Sequence, residues 1–514
     1  MSAVDVPVRT APPPSETWSS LLRRYSRLLL IESRRSAMPV LLPLAAILFW
    51  FDSLRTANGF VPTWTVRAST LPNHVFPDVG PFAAGIAAWT GSREKRRGVS
   101  DLLSTTASPG WRRQVATWGS CLAWTMLAYA GCVAVIYGIA AGKATWGGPP
   151  LWPVVVAGLA IALCCTTGFV AGTWFPSRFT APLAAIGVLI VGTRVFQAAV
   201  GETGGITQIS VSNAVPDPDL GVFFPVPPDV PIAQSIFLAG ALIALLGSLA
   251  FRGNALSLAP RRLAVIVTLV GVAAAGTGLG LVSTSKTQAN GLVIPALHDA
   301  ASDRPLAFTP VCTSAAIPVC VHPAFQYELA QTESSLEPVL TAVAGLTGAP
   351  TRAEQVSPES PVLPANGQGQ QQASTVVITT PAGGGAPILD FSLVQQIFTS
   401  FTMGLNEQFK AQAGVSVVQS LIAPMTAADP AQQAVEAGLL QLMGLPLGDS
   451  LEQALNWNTT PGTTSLDSAL PQPGTPAYAA AKKFAALPAA TSHAWLADHL
   501  TALRAGQITL AELP

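Results

Sequence analysis

The chain has 514 residues, half of them apolar and only 11% charged, with a formal net charge of zero. So few charges cannot cover the surface of a soluble protein of this size, which leaves a membrane protein as the class to test. The neutrality is a balance of two unlike parts: up to Ser283 there are 20 Lys+Arg against 11 Asp+Glu, and from Thr284 onward 7 against 16. An acidic tail argues against nucleic acid as its partner. Arginine outnumbers lysine by 21 to 6, alongside abundant Ala, Gly and Pro, as in the product of a GC-rich bacterial genome.

The first 35 residues hold a helix of their own. Trp18, Leu21, Leu22, Tyr25, Leu28 and Leu29 recur at helical spacing, while Arg23, Arg24 and Arg27 fall elsewhere on the wheel. The pattern fits a helix lying in the membrane interface, or a soluble helix packed on another subunit. Seven apolar blocks follow, each near the length that a hydrocarbon core of about 30 Å requires. They run Ser36–Leu54, Val75–Gly91, Val115–Ala141, Leu151–Phe175, Phe179–Val200, Pro231–Phe251 and Arg262–Ser283.

Basic residues flank these blocks unequally. With the N-terminus inside, the inner segments carry 16 Lys+Arg and the outer loops only Arg55, Arg67 and Lys143. The rule that cytoplasmic flanks are basic sets this orientation, and seven crossings place the C-terminal part outside the cytoplasm. Within the spans, Gly168/Gly172 and Gly276/Gly280 have the four-residue spacing that lets helices approach closely. Arg194, toward the outer end of its span, is an intramembrane charge. It is a functional candidate, with snorkelling or pairing to Glu202 as the plainer account.

The segment between the second and third blocks, Ser92 to Arg113, carries the densest cytoplasmic chemistry. A charged turn leads to Gly98, then a short helix with Leu102 and Leu103, then Pro109-Gly110 and two arginines. A loop that only fixes topology needs the arginines; the leucine pair adds an apolar face able to dock on something. In this loop, and in the interfacial helix before the first span, the chain resembles the permease subunits of type-2 ATP-binding-cassette exporters over roughly Glu16 to Phe251. The resemblance implies that Glu94, Arg97, Gly98, Leu102, Leu103, Pro109 and Arg112 form the coupling element on which a separate ATP-binding subunit pushes. It also implies a homodimer, or pairing with a second permease. The seventh span and the long outer part depart from that family's six-span pattern.

No catalytic or cofactor motif appears, so neither enzymatic activity nor a cofactor is expected. Gly138 to Lys143 resembles a phosphate loop only in part, because Tyr137 replaces its first Gly and Ala144 its Ser/Thr. His493 and His499, six apart, do not share a helical face, and His298 and His322 have no evident partners.

Four cysteines, Cys121, Cys132, Cys164 and Cys165, lie in apolar blocks as small hydrophobes. Cys312 and Cys320 are the only two in the tail, and either close a loop in an oxidising compartment or remain buried thiols. The tail, 284–514, reads as mainly α: helices at Ala324–Leu346, after a cap at Asp390, at Pro430–Met443, Pro476–Ala486 and Ser492–Ala505. A short strand is expected at Thr375–Thr379 within the Gln355–Pro387 loop. The sum is an α-helical polytopic membrane protein of the bacterial plasma membrane with an extracytoplasmic domain. The rival reading is a receptor or assembly protein that works through that domain.

Overall fold

The computed structural model describes residues 18–54, 61–98, 110–192, 209–210, 220–249, 251, 258–288, 291–357, 376–381, 385–393, 402–422, 429–446, 451 and 470–514. It is mostly helical. Helix α1 (Trp18–Arg35) turns by 62° into the helical stretch Met38–Asp52, which includes α2 (Leu41–Leu48). Helix α3 (Trp64–Thr70) runs through a π-helical turn at Leu71–Val75 into α4 (Phe76–Gly91), and the one-turn α5 (Arg93–Arg96) follows. The apolar bundle is completed by α6 (Gly110–Ala141), α7 (Leu151–Trp174), α8 (Thr180–Val191), α9 (Asp229–Leu249) and α10 (Leu258–Ser283).

Four of these helices, α6, α7, α9 and α10, are long and apolar enough to cross a membrane, and the bent pair at the N-terminus makes a fifth if its two halves are one span. The second and fifth expected spans form apolar helices of 16 and 12 residues in their described extents. The second helical run starts at Trp64 rather than at the expected Val75: Pro72 falls at the start of the π turn, Pro77 at the start of α4 and Pro81 inside α4, and none of them ends the run.

Backbone contact fixes the bundle. A Cβ at Gly168 or Gly172 of α7 would overlap the carbonyls of Ala84 and Ala88 on α4, so the two helices meet main chain to main chain. The same holds for α9 and α10, but not through the glycines expected from the sequence. Gly276 and Gly280 face open space, whereas Gly240, Gly247, Gly271 and Gly278 lie against the partner helix backbone. Each of these two pairs is spaced by seven residues, two helical turns, which keeps both members on one seam.

After α10 a small hairpin, β1 (Lys286–Gln288) with β2 (Gly291–Val293), leads to a five-stranded mixed sheet. Its strands are β3 (Val311–Cys312), β4 (Val319–Val321), β5 (Arg352–Gln355), β6 (Val376–Thr379) and β7 (Ile388–Phe391), in the order β3-β4-β5-β7-β6. The β4-β5 and β5-β7 pairs are parallel and the outer two antiparallel. Cys312 and Cys320 face each other across β3-β4 and form a disulfide. Around the sheet pack α11 (Leu329–Val343), α12 (Thr402–Leu421), α13 (Pro430–Leu442), α14 (Pro476–Ala485) and α15 (Ala489–Arg504), sharing one apolar core.

The described tail holds more helix than strand, and to the single expected strand it adds a five-stranded sheet. Asp390 is not a helix cap: it lies in β7 and accepts a hydrogen bond from Thr379 Oγ1 across the β6-β7 pair. The expected strand at Thr375–Thr379 is present as β6, and Gly506, at φ +66°, follows the last helix. Val394, Ile397, Phe398 and Phe401 lie outside the described residues.

The two glycine pairs give opposite expectations for Gly→Ala exchange. Gly168→Ala and Gly172→Ala should each cost about 1–3 kcal/mol, the usual cost of overpacking, read as a lower thermal midpoint of the detergent-solubilised protein. Gly276→Ala and Gly280→Ala meet open space and should be neutral or stabilise by up to about 1 kcal/mol, the helix-propensity difference.

Candidate functional site

Of the seven expected coupling residues, Glu94, Arg97, Gly98 and Arg112 fall in described segments; Leu102, Leu103 and Pro109 lie outside them, as do Arg194 and Glu202. Their positions follow from how α4 ends. A Cβ at Gly91 would stand 2.7 Å from the Phe169 carbonyl oxygen, so the last turn of α4 presses on α7. Ser92 Oγ donates to the Trp89 carbonyl at 3.0 Å, and α5 then carries three basic residues and Glu94 before Gly98 turns the chain at φ +66°.

Two ion pairs anchor this turn. Arg93 reaches Glu32 of α1 at 2.7 Å and also donates to the Arg35 carbonyl at 3.3 Å. Glu94 approaches Arg113, in the first turn of α6, at 3.9 Å. The segment Ser92–Gly98 is thus fastened to α1 on one side and to α6 on the other, while Arg97 and Gly98 stay exposed. The first pair is only about a fifth exposed on each side, so it holds geometry better than a fully solvated pair, which contributes about 0–1 kcal/mol. Arg112 stands over the Trp111 ring at 5.4 Å.

Arg96 lies flat on the Trp89 ring, 3.5 Å from its centroid, and donates to the Trp89 carbonyl at 2.9 Å. Burial first, then the charges of Arg97 and Arg178, push its guanidinium below the ordinary arginine value. These groups border a cavity of about 530 Å³ between α1, the α4-α5 turn and the Pro176–Arg178 connection. The sequence marks Arg93, Arg96 and Arg113 only as basic residues of the inner flank, and Glu32 not at all. The Arg93–Glu32 contact spans 61 positions, and no local pattern marks it.

The tail is joined to the opposite end. Thr145, in the α6-α7 loop, donates to the Pro323 carbonyl at 2.6 Å, and Leu306 N donates to the Phe223 carbonyl at 2.7 Å. His322 is fully buried there, ringed by Phe308, Phe223 and Trp146 at centroid distances of 4.2, 5.0 and 5.1 Å. Its Nδ1 accepts from Ala324 N at 3.1 Å, and burial lowers its pKa to about 4, so it is neutral near pH 7.

His298 also gains partners, contrary to the expectation from sequence. Its Nδ1 lies 3.1 Å from Asp229 at the start of α9, and its Nε2 3.1 Å from Asp303. The Asp229 partner is 69 positions away, beyond any spacing argument. His493 Nε2 lies 2.6 Å from the Ala344 carbonyl, and His499 stacks on Trp495. Among the described residues no group of three or more His, Cys, Asp or Glu could hold a metal ion.

Compared with protein-family models, curated proteins and solved structures, the chain finds no match.

The His298 clamp gives a pH dependence with a definite sign. Hydrogen bonds to Asp303, then to Asp229, hold its pKa above the ordinary value of 6.5. The contribution to stability is complete below about pH 6.5 and is lost as pH rises through the raised folded-state value. Ile294 N donates to Asp229 at 3.2 Å, so its hydrogen-exchange protection, corrected for intrinsic rate, should fall on going from pH 6 to pH 9. In His298→Gln that protection should be independent of pH.

Proposed function

We propose that the chain is the membrane-spanning permease subunit of a bacterial ABC-type exporter, energised by a separate ATPase subunit and acting as a homodimer or with a second permease. The observation that carries the reading is the double fastening of Ser92–Gly98, to α1 through Arg93–Glu32 and to α6 through Glu94–Arg113. A force applied to the loop that continues toward Arg113 would reach both helices at once. The 62° turn between α1 and the next helical stretch supports an α1 that lies along the interface rather than across it. In this reading the basic end faces the cytoplasm, seven crossings are made, and the tail with its Cys312–Cys320 disulfide lies outside.

The rival, a receptor or assembly protein, draws support from the size of the tail's own core, which gathers a sheet and five helices. The two readings separate on what the full-length protein retains after gentle solubilisation. The exporter reading expects an ATPase subunit to co-purify, and Leu102→Asp with Leu103→Asp to release it. Arg93→Ala should keep the ATPase bound but lower transport-linked hydrolysis several-fold. If no ATPase is retained and the leucine variants are silent, the exporter reading fails and the receptor reading stands.

Orientation has its own check. In intact spheroplasts, an impermeant reductant followed by an impermeant maleimide should label Cys312 and Cys320. Labelling only after permeabilisation would reverse the assignment.

A further inference from the structure

The cavity at the basic end has more positive charge than its described surroundings balance. Five arginines line it, Arg35, Arg93, Arg96, Arg97 and Arg178. Of the nearby carboxylates, Glu32 is taken by Arg93 and Glu94 turns toward Arg113. Arg96 keeps a buried Nε without a hydrogen-bond partner, while its plane rests on Trp89. Guanidinium groups gathered around a pocket match the bidentate geometry and charge of a phosphate.

A second observation identifies the rest of the ligand. Immediately after Arg178, Phe179, Leu183, Ile186 and Ile190 are 71, 66, 53 and 56% exposed. Their spacing of four, three and four places them on one face of the α8 region. Trp89, which borders the cavity, is also half exposed, in the manner of aromatic side chains at a membrane interface. A headgroup pocket and an apolar stripe therefore adjoin at one level of the bundle.

We propose that this cavity binds the phosphate of an anionic phospholipid whose acyl chains lie along the stripe Phe179–Ile190. The inference uses the membrane character of the chain but not the exporter reading, and it holds whether or not an ATPase subunit binds. The lipid would neutralise the arginines that crowd one another and brace the α4-α5 turn against the α7-α8 connection.

The test uses the full-length protein in phosphatidylcholine nanodiscs, titrated with phosphatidylglycerol and with inorganic phosphate, bound lipid being counted by native mass spectrometry. Phosphatidylglycerol should be retained at least tenfold over phosphatidylcholine. Arg178→Gln, an exposed side chain whose loss leaves packing intact, should weaken it roughly fivefold, the effect of one interfacial basic residue. Arg96→Gln with Arg178→Gln should weaken it more than tenfold, and Arg304→Gln, exposed in the tail, should change nothing. Equal retention of the two lipids, or wild-type binding by both variants, overturns the proposal. So does displacement of phosphatidylglycerol by inorganic phosphate of equal affinity, which would assign the pocket to free phosphate. If Leu183→Ser with Ile186→Ser breaks a dimer and leaves lipid affinity unchanged, the stripe belongs to a second copy of the chain and the acyl placement fails.

Discussion

Main-chain contact between α4 and α7 is the constraint on which the basic end depends. In lipid, apolar side chains gain little by leaving one apolar medium for another, so helices associate through close packing of small residues. Gly168 and Gly172 against Ala84 and Ala88 give that packing, and Gly91 against Phe169 continues it to the last turn of α4. With α4 held at this depth and rotation, Arg93 meets Glu32 and Glu94 faces Arg113. Larger side chains at these glycines would move the α4 terminus outward and separate the contacts to Glu32 and Arg113 together.

The second seam, α9 with α10, obeys the same physics with a different spacing. There the close positions repeat every seven residues, Gly240 with Gly247 and Gly271 with Gly278, and the four-residue pair Gly276/Gly280 is turned away. Spacing alone could not separate the two, because both periods place glycines on a common face of a helix. Which face meets a neighbour is decided by where the next helix lies, and that is tertiary information.

The sequence was most legible where one physical requirement dominates over many residues. Lipid immersion demands long apolar runs, and five of the seven expected blocks appear as helices, or a bent helix pair, able to span. It was least legible in the tail's sheet, where strands have two to four residues. Arg352-Ala-Glu-Gln carries no strand signature, yet Ala353 and Gln355 point inward and form β5 because parallel neighbours exist on both sides. Of the candidate site, the residue types of the Ser92–Arg113 segment were readable. Its long-range pairing was not: Glu32 meets Arg93 across 61 positions, and Glu94 meets Arg113, only when three chain segments converge.

The bundle's internal fastenings are unequal from helix to helix. Helices α6 and α7 are tied along their length, by Trp118 Nε1 to Thr166, Tyr129 to the Val154 carbonyl and Tyr137 to the Pro150 carbonyl. Helix α4 joins them through its glycine seam, so the three form one stiff unit that reaches the tail through Thr145 and Trp146. Helix α1 is held differently. It touches this unit through Leu29 at Gly119, through the Arg93–Glu32 pair, about a fifth exposed on each side, and through one longer hydrogen bond from Arg93 to the Arg35 carbonyl. Breaking one ion pair costs far less than separating interlocked backbones, so α1 is the more loosely held helix at this end. The 62° bend sets α1 apart from the stretch Met38–Asp52, while the α4-α6-α7 unit runs on to its contacts with the tail.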